Sequence, residues 1–199
     1  MVIHFGGRMS KEDKREAILR ATLELVAENG FHDAPCSLIA ERAGVAAGTI
    51  YRHFENKDVL IVELYTELEA RINAVILEGY RQDKPFRERF LHLITSILRF
   101  FIANPREFRY IEQFHHSPYG AAFRRDRILG QHDDCGICCE LFKQGVAQQV
   151  IKDLPLVLLF DLAFGPIISV ARNHILGFVT LDAALIHKIG DACWDSLKR

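Results

Sequence analysis

The sequence predicts an all-α chain: three short N-terminal helices, two of them arranged as a helix-turn-helix, then a C-terminal helical bundle, with about nine helices in total. Three observations lead there. Apolar residues recur at intervals of three and four along nearly the whole chain, the period of helices with one buried face. Gly, Pro and Asn interrupt that period where helices stop, and no strand-like alternation, repeat or low-complexity segment is present. Finally, Ser37–Lys57, SLIAERAGVAAGTIYRHFENK, reads as two short helices joined by a tight turn.

Taken in order, Ser10 caps the first helix, and Glu12 and Asp13 in its first turn suit the helix dipole. Ile18, Leu19, Ala21, Leu25 and Val26 form its apolar face, and Asn29-Gly30 ends it. Phe31 is expected to close a small core with Ile39, Val45, Ile50 and Phe54. Pro35 falls in the first turn of the second helix, Ser37–Ala43, and Gly44 ends that helix by entering the left-handed region. The third helix runs from about Ala46 to His53. Its small leading residues, Ala46, Ala47 and Gly48, let its N-terminus approach another surface closely. Thr49, Tyr51, Arg52 and His53 follow with a hydroxyl, a phenol, a guanidinium and an imidazole. This is the arrangement of a helix-turn-helix whose second helix enters a major groove.

Asn56-Lys57-Asp58 opens a long helix that reaches about Gly79. Pro85 precedes another, Phe86–Ala103, and Asn104-Pro105 restarts the chain into Arg106–His116. After Ser117-Pro118 one longer helical pattern runs from Tyr119 to about Val150, less regular near Gly130 and Gly136. Asp153 is expected to cap a helix, apolar nearly all round, that runs to Leu176-Gly177. Thr180 is expected to cap the last, Leu181–Leu197.

Composition narrows the function classes. A chain of 199 residues with 49% hydrophobic and 26% charged residues is ordinary for a globular protein of one domain or two small ones. No uninterrupted apolar run reaches the ~20 residues of a membrane span; the best stretch, Leu154–Val170, is broken by Asp161 and Gly165-Pro166. The start, MVIHFGGR, lacks a signal-peptide core, so a cytoplasmic protein without a membrane partner is expected. Catalysis is not expected: there is no phosphate-cradling Gly loop, metalloprotease His-Glu motif or nucleophile elbow. The net charge is −1, and within residues 1–57 eight basic residues balance eight acidic ones. Affinity for nucleic acid must therefore come from where the charges sit.

The pattern Ile39–Leu60, IAERAGVAAGTIYRHFENKDVL, with Ala17–Phe31 before it, resembles the tetracycline-repressor (TetR/AcrR) family of transcriptional regulators. Its match to IA-x-x-AGV-x-x-GT-[LI]-Y-x-[HY]-F-x-x-K-x-x-L is far more specific than a lone short motif. The resemblance implies a DNA-binding domain over residues 1–57 and a ligand-binding and dimerisation domain over 58–199. It implies phosphate contacts at Thr49, Tyr51, His53 and Lys57, with Ala46, Ala47, Gly48 and Arg52 near bases. Ser37 belongs with this DNA-facing set. Arg52 is the best base reader, since its fork bonds guanine O6 and N7 together. Pro35 stands where the family usually has Thr or Ser, which removes one phosphate contact. The partners implied are a palindromic double-stranded operator, a second copy of the chain and a small apolar or aromatic effector, so a repressor is the expected function, with no cofactor.

In the C-terminal part, aromatic residues at helical spacing suit a bundle that leaves an apolar pocket with a few polar groups. The candidates are Phe100, Phe101, Phe114, Phe123, Phe142 and Phe164, with His92, Gln113, His116, Arg172 and Asn173 to orient a ligand. The last two helices are expected to form a four-helix dimer interface through Leu158, Leu162, Ile168, Leu181, Leu185, Ile189 and Trp194. Five cysteines, Cys36, Cys135, Cys138, Cys139 and Cys193, are not laid out as a disulfide framework and are expected to stay thiols. His132, Cys135 and Cys139 share a helical stripe near Cys138, so a metal- or thiol-responsive regulator is the alternative reading, although burial of cysteine as a small hydrophobe suffices. A helical enzyme or interaction module is a third.

Overall fold

The computed structural model describes residues 10–129 and 136–199. Among these residues the chain forms ten helices and no sheet. The first three are α1 (Lys11–Asn29), α2 (Cys36–Arg42) and α3 (Ala47–His53). Ser10 Oγ accepts from the Asp13 amide at 3.0 Å while the Asp13 carboxylate accepts from the Ser10 amide at 2.8 Å, a reciprocal cap on α1. Gly44 has φ +67, and a Cβ there would meet nothing within 4 Å. The left-handed backbone, rather than crowding, is what calls for glycine at the turn. Ile18, Leu25, Ile39, Ile50 and Phe54 are buried beneath it.

One local expectation is corrected and another is extended. Pro35 is the N-cap of α2, one step outside the helix, and makes no side-chain cap bond because its ring carries no polar atom. Phe31 packs half-buried against the core, and it also reaches beyond the first three helices. Its ring lies edge-on to Tyr110 at 5.5 Å and to Tyr119 at 5.7 Å. Gly30, at φ +86, turns the chain out of α1, and Gln113 Nε2 donates to the Val26 carbonyl at 2.9 Å beside that turn. Phe31 therefore joins the first helices to the bundle that follows.

The long α4 (Lys57–Leu77) starts at Asn56, whose side chain accepts from the Val59 amide at 2.9 Å. Arg15 of α1 reaches Glu63 at 2.8 Å and Glu67 at 2.6 Å, one turn apart on α4, and its guanidinium covers the Phe54 ring at 5.4 Å. The remaining helices are α5 (Phe86–Ala103), α6 (Pro105–His115), α7 (Pro118–Leu129), α8 (Gly136–Ala147), α9 (Leu156–Ile175) and α10 (Ala183–Leu197). Apolar on most sides, α5 is the central post and packs against α4, α6, α8, α9 and α10.

The pattern read as one helix from Tyr119 to Val150 is two, α7 and α8, which raises the count from nine to ten. Gly136 at φ +70 begins α8, and a continuous right-handed helix does not pass through that conformation. Gly120 presses α7 onto α6: a Cβ there would sit 2.1 Å from the Phe114 carbonyl oxygen. Two caps also differ. Pro155, not Asp153, precedes α9, and Asp182, not Thr180, caps α10 by accepting from the Leu185 amide at 2.7 Å.

In α9, Leu159, Ala163, Ile167 and Ala171 are buried on one face, while Val157, Leu158 and Leu162 are exposed on another. Asp161 and Pro166 do not break it. Among the described residues it is the one helix long and apolar enough to cross a membrane, by length and composition.

Candidate DNA-recognition helix and effector cavity

The helix α3 has two unlike sides. Ile50 fixes the buried side in the core, and Phe54 follows at its C-cap. On the outer side Ala46, Ala47, Gly48, Tyr51 and Arg52 are exposed, with Thr49 and His53 half-buried at the edges. Ser37 is exposed on the first turn of α2. The Tyr51 ring is 58% exposed, and a hydrogen bond with Cys36 holds its phenol above the ordinary value, so it remains a donor. Burial, followed by the charges of Lys11 and Arg15, lowers the His53 pKa, with Lys14 acting in the same direction. His53 is thus neutral at pH 7 and stands among cations from the start of α1. Sequence reasoning missed Lys11 and Lys14; their spacing, three residues apart just inside a capped helix, was the signal available.

Lys57 occupies a different position from the one expected. Its ammonium donates to the Phe31 carbonyl at 2.7 Å and is half-buried. It ties the start of α4 to the loop after α1, so any phosphate would share it with that carbonyl.

Below this unit lies a cavity of about 490 Å³ between α4, α5, α6, α7, α8 and α9. That size falls within the range of small-molecule sites. Five predicted residues line it: Phe101, His116, Phe123, Phe164 and Arg172. The other six do not. Phe114 is buried behind the wall, stacked on Tyr65 at 4.0 Å, and Phe142 is buried against Phe90, Phe160 and Phe164. Phe100 packs elsewhere, under the Arg71 guanidinium. His92 bonds the Ile76 carbonyl at 2.8 Å near the end of α4, Gln113 is committed to Val26, and Asn173 faces solvent. Helical period identifies aromatics that face inward; it does not tell which of them face a gap.

The polar lining comes largely from residues not expected in the pocket: Tyr65, Glu69 and Asn73 on α4, His115 on α6, Arg124 on α7 and Asp161 on α9. The Tyr65 hydroxyl and His115 Nε2 lie 3.3 Å apart. Burial lowers the His115 pKa to about 4, helped by Arg124 and His116, so the imidazole is neutral at physiological pH. Arg172 is held by Glu112, to which its Nε donates at 2.7 Å. Phe101, Phe123, Phe160, Phe164, Ile97 and Ile168 give the cavity its apolar walls. The arrangement suits an apolar or aromatic body with a few hydrogen-bonding groups along it.

The predicted dimer residues divide. Leu158 and Leu162 are exposed, and Leu185 and Ile189 are half-buried beside them on α10, which packs along α9. Leu181 and Trp194 are buried within the chain; the Trp194 ring lies 5.9 Å from Phe86 and 5.6 Å from Phe90. Ile168 lines the cavity instead. Leu181 precedes the cap of α10 and Trp194 sits on its inward stripe, so neither reaches the outer face.

His132 and Cys135 lie outside the described residues. Cys138 is not in a disulfide and lines the cavity with Cys139. Cys139 is disulfide-bonded, contrary to the expectation of thiols throughout, which rested on compartment rather than on geometry. Among the described residues no group of His, Cys, Asp and Glu is placed to hold a metal ion.

A helix-turn-helix with an exposed leading edge, set on a helical bundle with a largely apolar cavity, defines a one-component DNA-binding regulator. The profile described as "Bacterial regulatory proteins, tetR family" matches residues 18–64, and that described as "Tetracyclin repressor-like, C-terminal domain" matches residues 85–198. A helix-turn-helix transcriptional regulator of Haemophilus influenzae is 32% identical over 195 residues, covering 96% of this chain and 100% of that protein. The fatty acid metabolism regulator protein of Bacillus subtilis is 34% identical over 86 residues, covering 43% of this chain and 44% of its own. A TetR family transcription regulator from Marinobacter aquaeolei superposes with a TM-score of 0.81 at 25% identity, over 94% of this chain and 97% of the other. The chain belongs to the TetR family of transcriptional regulators and is a DNA-binding regulator of the ligand-responsive kind.

Proposed function

We propose that this regulator is a cytoplasmic repressor that binds an inverted-repeat operator as a homodimer and leaves it when a small apolar or aromatic effector fills the cavity. The observation that carries the reading is the position of α4. One end of this helix holds Lys57 beside the recognition unit, and the same helix lines the cavity with Tyr65, Glu69, Ile72 and Asn73. An effector that binds better to a shifted α4 would change the separation of two α3 helices, and differential affinity for the two states is the energetic requirement. In this reading residues 1–57 read DNA and 58–199 bind effector and partner. On α3, Arg52 reads a base and Ala46, Ala47 and Gly48 allow close approach. Ser37, Thr49, Tyr51 and His53 contact phosphates.

Leu158, Leu162, Leu185 and Ile189 supply the dimer face, and a second copy would cover the exposed apolar side of α9. Likeness to the Bacillus subtilis fatty acid regulator spans less than half of either chain and carries no effector across. The test is Leu162→Glu, read by sedimentation and by binding to a selected operator. The expected result is a folded monomer with greatly weakened operator binding. A dimer that binds as before would overturn the assigned interface.

A further inference from the structure

Arg89 of α5 is 9% exposed, and among the described residues no carboxylate pairs with it. Its guanidinium lies over the Phe86 ring at 5.6 Å, and Nη1 donates to Gln144 Oε1 at 3.0 Å. Its Nε is fully buried and has no acceptor. A buried, permanently charged group without counter-charge is costly, and a donor left unmet adds to that cost. Arg89 also lines a second cavity, of about 370 Å³, with Tyr80 and Gln82 from the segment after α4 and Gln144 and Gln148 from α8 and just beyond. Glu140 also lines it and pairs with Lys143 at 4.0 Å.

We infer that this second cavity is a binding site for a small oxyanion, a carboxylate or a phosphate, seated on Nη2 of Arg89. The chemistry is a charge-assisted hydrogen bond from the guanidinium to an anion oxygen. Gln144 holds Nη1 and so fixes the plane of the guanidinium, and the buried Nε faces away from the cavity, which leaves Nη2 for the ligand. The amides of Gln82 and Gln148 and the Tyr80 hydroxyl supply neutral donors around it. Glu140 opposes an anion on its own side and confines it to the Arg89 side. The site is separate from the effector cavity, although Ile137 borders both. Tyr80 and Gln82 follow α4, so an anion here also fastens the far end of that helix to α5 and α8.

The test uses the full chain without DNA, so its outcome is independent of the operator reading. Thermal unfolding is followed in sodium acetate, sodium phosphate and sodium chloride at one ionic strength. The expected result is a saturable rise in Tm with acetate or phosphate over chloride, and the stronger of the two identifies the anion class. Arg89→Met is expected to weaken that response at least tenfold while unfolding in chloride no earlier than the parent. Gln144→Glu places a carboxylate on the guanidinium and is expected to raise Tm in chloride and to abolish the anion response, which keeps the test decisive if Arg89→Met does not fold. No anion-specific rise in the parent chain, or an unchanged rise in both variants, would overturn the assignment.

Discussion

The Lys57 ammonium donates to the Phe31 carbonyl at 2.7 Å, and the Phe31 ring in turn lies against Tyr110 and Tyr119 of the bundle. One residue after α1 thus links the start of α4 to α6 and α7. Lys57→Met removes a charge-assisted hydrogen bond from a half-buried position, a loss of about 1–2 kcal/mol. Differential scanning calorimetry should show Tm lower by about 2–4 °C per kcal/mol for a chain of this length. A variant that loses DNA affinity with no change in Tm would show that Lys57 acts on phosphate alone.

Arg52 and Tyr51 are both exposed on α3 but are given different tasks. Arg52→Ala should lose about 1–3 kcal/mol of discrimination at one base position and leave other positions unchanged. Tyr51→Phe should weaken binding alike for every duplex, because phosphate contacts position the protein and carry no sequence information. Competition binding against a set of single-base operator variants separates the two. Equal losses across the set for Arg52→Ala would contradict its role as base reader.

In the proposed complex, His53 would give operator binding a pH dependence. In the free protein its pKa lies below the ordinary 6.5, lowered first by burial and then by neighbouring cations. A phosphate beside the ring would raise it, so binding takes up a proton. The extra affinity is full below the free-protein pKa and is lost as pH rises through the pKa in the complex. Operator affinity should therefore increase from pH 7.5 toward pH 6, about the range in which imidazole titrates, and His53→Gln should flatten that trend.

His115 makes stability depend on pH in the opposite direction to a salt-bridged histidine. Its pKa falls from 6.5 to about 4 on folding. The unfolded chain then holds more protons between those values, so stability rises with pH across that window and is lost as pH falls through it. The full effect is about 3 kcal/mol by the linkage relation. Chemical denaturation at pH 7 and pH 4.5 should show a smaller difference for His115→Asn than for the parent chain.

The DNA-binding unit was legible because its signals are local. Gly44, the small residues Ala46–Gly48 and the cap at Ser10 each act within a few residues of themselves, and the structure places them accordingly. The cavity was half legible. Phe123 and Phe164 were found by period, but the same period selected Phe114 and Phe142, which are core. Tyr65 and His115 were missed because their pairing joins α4 to α6 across fifty residues of chain. Asp161 interrupted an apolar run and was read as a break rather than as cavity lining. Trp194 was placed on the dimer face because a closing helix shows its apolar stripe without showing that Phe86 and Phe90 already cover it.

The central claim, that this chain reads a specific operator as a dimer through α3, is tested most directly by selecting bound duplexes from a random pool. Affinity for the recovered duplex is then measured at several salt concentrations. The expected result is an inverted repeat and a steep loss of affinity with salt as phosphate contacts release counterions. Recovery of no common sequence, even from protein refolded to remove any bound effector, would contradict it.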